Sequence, residues 1–192
     1  MNAYITSGTR EFLEKITSQH DQHTFYFMKN PSSPKSIYIY YESQQKSVFK
    51  AARKYKVVAS YGNLEQDYGY VVMNHITVID KGKKSLLEKW MTDEQKIITN
   101  IQGLIAFRGL KPMKRHTFVV LTQWESKEAY EAWEEVASPD SLLHPNIRPP
   151  AYFANLPYTT SYIMPIDDDE DADEEEMIDE ENEETSENDT TD

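Results

Sequence analysis

The stretch YVVMNHITVIDKGKKSLLEKW, residues 70–90, reads as a strand followed by a capped helix. Residues 70–79 carry the branched side chains of a strand. Asp80 can cap a helix over residues 81–99, with Leu86, Leu87, Trp90, Ile97 and Ile98 as its core residues. Gly103 breaks that helix. Residues 104–110 (LIAFRGL) and 116–124 (HTFVVLTQW) then read as two strands joined around Lys111, Pro112, Met113 and Lys114. Ser126 begins a second helix, 126–137, ended by Ser138-Pro139-Asp140. Residues 157–165 (PYTTSYIMP) give a last strand. The order strand, helix, strand, strand, helix, strand predicts a ferredoxin-like α+β unit over 68–166, with two helices on one face of a four-stranded antiparallel sheet. Its other face needs cover. A second copy in a homodimer would supply it, and the N-terminal strands are the alternative.

Upstream, residues 1–67 form a β-rich section. TFYFM (24–28), IYIYY (37–41) and VVASY (57–61) are strand-like. Residues 9–17 suggest a short amphipathic helix with Thr9 as cap and Phe12, Leu13 and Ile16 on one face. The section could be a degenerate partial copy of the downstream unit, although no clear sequence repeat supports that.

Composition narrows the chemistry. The 192 residues contain no cysteine, which excludes disulfides, thiolate metal sites and cysteine nucleophiles. The net charge of −13 is unevenly placed. From Asp167 the chain carries 17 acidic and no basic residues, leaving 16 acidic and 20 basic before it. Residues 167–192 are expected to be a disordered acidic tail, either a solubility device or a partner-binding arm. Such an arm argues against nucleic-acid binding. No apolar run has membrane-spanning length, and the first residues lack a secretory pattern, so a cytoplasmic location is expected.

Three residues stand out. Asn74 shares a strand face with Val72, Ile76 and Val78; it is either tied to backbone or aimed into a pocket. Trp133 continues the helical stripe Ala129, Tyr130, Val136 and reads most simply as core. His144, in the loop after that helix, is either incidental or a metal ligand. No metal-cluster spacing, phosphate loop or serine-triad signature appears.

The segments VVMNHITVIDKGKKSLLEKW, IQGLIAFRGLKP and FVVLTQWESKEAYEAWEEVAS, however, resemble the antibiotic biosynthesis monooxygenase (ABM) family. The likeness is strongest to its haem-degrading members of the HmoB and IsdG type. The resemblance implies a dimeric α/β barrel type of fold and a haem-degrading monooxygenase. Such an enzyme binds haem as cofactor and substrate, takes O2 and electrons from an external donor, and releases iron. It implies His144 as the iron ligand, Asn74 on the distal side and Trp133 against the porphyrin. His116 and His75 are weaker substitutes for the ligand, and Asn146 and Arg148 are candidates for the haem propionates. The N-terminal layout also resembles TRAP-like staphylococcal signal-transduction proteins. That likeness implies, as alternatives, a haem-binding or regulatory protein without turnover. A cofactor-free ABM monooxygenase acting on a small aromatic or quinol is a further one.

Overall fold

The computed structural model describes residues 1–164; the acidic stretch 167–192 lies outside the described residues. The first half of the chain contains β1 (Asn2–Gly8), α1 (Arg10–Thr17), β2 (Phe25–Asn30), β3 (Ser33–Ser43) and β4 (Arg53–Tyr61). The second contains β5 (Gly69–Thr77), α2 (Lys81–Ile97), β6 (Leu104–Pro112), β7 (Thr117–Trp124), α3 (Lys127–Val136) and β8 (Tyr158–Met164). A single 3-10 turn, Ile98–Asn100, extends α2.

The second half is the expected α+β ferredoxin-like unit, with its strands in the order β8-β5-β7-β6. The first half follows the same rule. Its order is β4-β1-β3-β2, so both halves place their fourth strand beside their first and their third between first and second. The N-terminal half lacks the second helix; residues 44–52 stand in its place. The two sheets join edge to edge, β2 to β8 and β4 to β6, closing an antiparallel barrel of eight strands. Of the two proposed covers for the open sheet face, the structure uses the chain's own N-terminal strands. β1 escaped the sequence reading, because NAYITSG mixes small and polar residues with only two large apolar ones.

Closure creates three apolar cores. The barrel interior draws Ala3, Ile5, Met28, Tyr40 and Tyr55 from the first unit and Val71, Met73, Leu110, Leu121 and Tyr162 from the second. A second core lies outside β1–β3 beneath α1, around Leu13, Ile39 and Tyr41. The third lies between the second sheet and its helices, around Ile76, Leu87, Met91, Phe118 and Trp124. Alternation along β5 sends Val72 and Ile76 to the helix side and Val71 and Met73 inward.

The local signals for the helices hold, and their predicted stripes need correction. Asp80 accepts from the backbone N–H of Gly82 at 2.7 Å and Lys83 at 3.1 Å. Ser126 accepts from the Ala129 N–H at 3.2 Å. Leu87 and Ile98 are core, but Leu86 is 45% and Ile97 72% exposed, and Met91 and Glu94 are buried instead. Phe12 and Val136 are likewise exposed. A helix buries whichever arc meets the sheet, and that arc depends on the packing orientation rather than on hydropathy alone.

The lower end of the barrel is closed by the linker after β4. Gln123 donates to the carbonyls of Glu65 and Tyr68, both at 2.9 Å, and accepts from the Glu65 N–H at 2.9 Å. At the same end Arg108 bonds Glu42 at 2.7 Å and the carbonyls of Tyr61 and Gly62, tying β6 to β3 and the linker.

Candidate functional site on the helix side of β5

Asn74 is 2% exposed among apolar neighbours, so its amide must be satisfied internally. Its Nδ2 donates to the carbonyls of Leu142 at 3.0 Å and His144 at 3.2 Å. Its Oδ1 accepts from the Thr159 hydroxyl at 2.9 Å. Both partners of Nδ2 belong to the connection between α3 and β8. Asn74 therefore fastens that connection to the sheet.

The connection is built from successive tight turns. Backbone N–H groups of Ser141, His144 and Ile147 donate to the carbonyls of Ser138, Ser141 and His144 in turn. Leu142, Leu143 and Ile147 are buried against the sheet and helices. A second fastening comes from α2, where Ser141 donates its hydroxyl to the buried Glu94 carboxylate. Burial pushes the Glu94 carboxyl above its usual range, and the bonds from Ser141 and the Leu142 amide oppose that shift.

Trp133 joins an aromatic cluster. Its ring centroid lies 5.0 Å from Trp124, 6.0 Å from Tyr130 and 6.4 Å from the half-buried ring of His144. The fold thus brings Asn74, Trp133 and His144 together from a strand, a helix and a loop. Arg148 is not among them: it is exposed and pairs with Asp140 at 3.3 Å. His75 faces the barrel interior, and the exposed His116 lies beside Lys84 at 2.9 Å.

In this arrangement His144 accepts at Nδ1 from the Asn146 N–H at 3.0 Å. A neutral ring so held carries its proton on Nε2. A single imidazole beside an indole in an apolar setting fits the chemistry of an iron porphyrin. The carbonyls of Leu142 and His144 hold both hydrogens of the Asn74 amide, the group that would face a ligand at this place. Among the described residues no group of three or more His, Asp or Glu converges as a metal site, and a one-imidazole ligand set requires none. Glu94, Ser141 and Thr159 escaped the sequence reading; no local pattern marks residues whose role is set by partners far along the chain.

Residues 69–138 match the family described as antibiotic biosynthesis monooxygenase, from β5 through α3. That part of the chain is an ABM domain. The signal transduction protein TRAP of Staphylococcus epidermidis is 28% identical over 179 residues, covering 88% of this chain and 99% of that protein. A structure described as a major regulator of staphylococcal pathogenesis superposes with a TM-score of 0.66 at 21% identity, covering 84% of this chain and 98% of the other. LmHde, a haem-degrading enzyme of Listeria monocytogenes, gives 0.65 at 19% identity, covering 86% and 100%. At these identities the two superpositions establish the shared fold, which extends through the N-terminal half beyond the matched ABM domain. Among the described residues no helix is long and apolar enough to cross a membrane.

Proposed function

We propose that this chain is a cytoplasmic haem-degrading monooxygenase of the ABM type, using O2 and an external reductant to open the porphyrin ring and release iron. One observation carries the reading: Asn74, Trp133 and His144 meet on one side of β5 although they belong to three separate elements. When bound, haem supplies the iron and the oxygen-activating chemistry that these side chains lack.

The chain's own contribution is positional. His144 offers the imidazole, Trp133 a flat apolar wall and Asn74 a polar amide. Loading requires the connection 138–157 to lift from the sheet, so that Asn74 releases the carbonyls of Leu142 and His144. A metal at Nε2 would also require the other neutral tautomer of His144, with its proton on Nδ1 and the bond from the Asn146 N–H released. Arg148, freed from Asp140, then becomes available to a carboxylate at the rim.

A second reading, a haem-holding or regulatory protein without turnover, is favoured by a specific feature. Both hydrogens of the Asn74 amide and one lone pair of its oxygen are spent on the chain itself. The similarity to a signal transduction protein points the same way.

Haemin titration of the wild type and of His144→Ala, followed by anaerobic loading, ascorbate and air, separates the readings. The enzyme reading expects a Soret band that depends on His144 and decays in air. A band that persists through the assay leaves the regulatory reading. No band in either protein leaves a cofactor-free monooxygenase acting on a small aromatic or quinol. Deleting residues 167–192 should leave the enzyme's chemistry unchanged.

A further inference from the structure

The residue after Asn74 points the other way, toward the upper end of the barrel, which is open where the lower end is sealed. There a cavity of about 420 Å³ is lined by Lys50, Arg53, Lys54, Lys114, Arg115 and His75. A second cavity of about 210 Å³ adjoins it and shares Arg53 and His75. Among the described residues no carboxylate lines either one. Two separate segments deliver the cations: the entry to β4 brings Lys50, Arg53 and Lys54, and the β6–β7 turn brings Lys114 and Arg115. Arg115 holds a φ of 74°, the left-handed region, and is the one non-glycine residue among those described to do so. Placing a bulky side chain there costs of order 1–2 kcal/mol. Gathering like charges at one concave mouth adds a repulsive cost, and among the described residues lining it there is no carboxylate to offset it.

The floor of the mouth is polar but uncharged. His75 is 5% exposed, its Nε2 lies 2.9 Å from the Thr160 hydroxyl, and its ring stacks on Tyr158 at 4.4 Å with an interplanar angle of 8°. Burial, helped by Arg53, lowers its pKa to about 4, so it is neutral near pH 7. Tyr55 adds a buried ring to the same wall.

We infer that this mouth binds a compact multivalent oxyanion of the di- or triphosphate class, either inorganic or as the charged end of a small organic ester. The five cations converge on one cavity of ligand size rather than forming the stripe that a nucleic-acid backbone would track. β8 ends at Met164, paired with Gly69, while Tyr158 at its start pairs with His75 beside the mouth. The site lies across the sheet from Asn74 and does not depend on the haem reading.

The test is a titration of the isotopically labelled full chain with inorganic tripolyphosphate at constant ionic strength, followed by amide and imidazole resonances. Saturable shifts are expected at residues 50–55, 75 and 112–117. Replacing Arg53→Gln and Lys114→Gln together should weaken binding about tenfold or more. Replacing Lys127→Gln, exposed on α3 and outside the lining of both cavities, should leave it unchanged. Adenosine triphosphate in a parallel arm identifies the source. Tighter binding than tripolyphosphate indicates an organic ester, and equal binding indicates the inorganic anion. Shifts that fail to saturate, or an equal loss in the cavity variant and the control variant, would overturn the assignment.

Discussion

Asn74 and His75 are neighbours in sequence, yet each serves a different face of the sheet. Asn74 is satisfied by three partners, all from residues 142–159. Asn74→Ala would strand two carbonyls and a hydroxyl in an apolar layer, a cost of about 2–3 kcal/mol. Urea denaturation should show that loss, and amide exchange should speed up across residues 142–147 before the strands respond. Unchanged exchange there would mean that Asn74 does not hold the connection. His75 yields a pH prediction. An unfolded histidine titrates near 6.5, and the folded one near 4. Between those values the unfolded chain binds more protons. The stability that His75 contributes is therefore complete above about pH 6.5 and is lost as pH falls toward 4. His75→Gln should flatten the pH dependence of the thermal midpoint over that interval, and identical profiles would refute the shift.

Elements meet where residue size permits. α2 crosses β6 at Gly109, where an added Cβ would lie 3.1 Å from Cβ of Met91 and 3.2 Å from Cβ of Ala59. These neighbours belong to α2 and β4, so there is little room to yield. Gly109→Val should destabilise the protein by about 1–3 kcal/mol through overpacking. A denaturant midpoint equal to that of wild type would show that α2 can shift outward. Caps behave as their sequences suggest, since Asp80 and Ser126 act on backbone groups within three residues of themselves. Thr9, the third expected cap, occupies the position but makes no side-chain cap bond. Helix faces were less legible. Leu86 and Leu87 are equivalent in hydropathy and adjacent in sequence, yet only Leu87 meets the sheet.

For the molecule as a whole, the closed barrel makes the two units one body, because its interior core is shared between them. Unfolding should therefore be a single cooperative transition. Near-ultraviolet signals from Trp124 in the second unit and hydrogen exchange at Leu13 and Ile39 in the first should report the same stability. Two separated transitions would show that each unit's outer core suffices alone. The partly buried Arg108–Glu42 pair, 2.7 Å apart, also spans the two units and supports the same expectation.

The order of elements in residues 70–164, the capping residues and the family resemblance could all be read from the chain, because each rests on contacts a few residues apart or on a contiguous phrase. Repetition of the same strand order in residues 2–61 could not, since it survives in hydrogen-bond pairing and not in residue identity. Nor could barrel closure, which depends on β4 finding β6 and β2 finding β8 across long stretches of chain. Asn74, Trp133 and His144 were visible as individual candidates. Their meeting, the fastening of the connection over them and the cationic mouth behind them arise only when distant segments pack, where burial and hydrogen-bond satisfaction decide which groups must share a place.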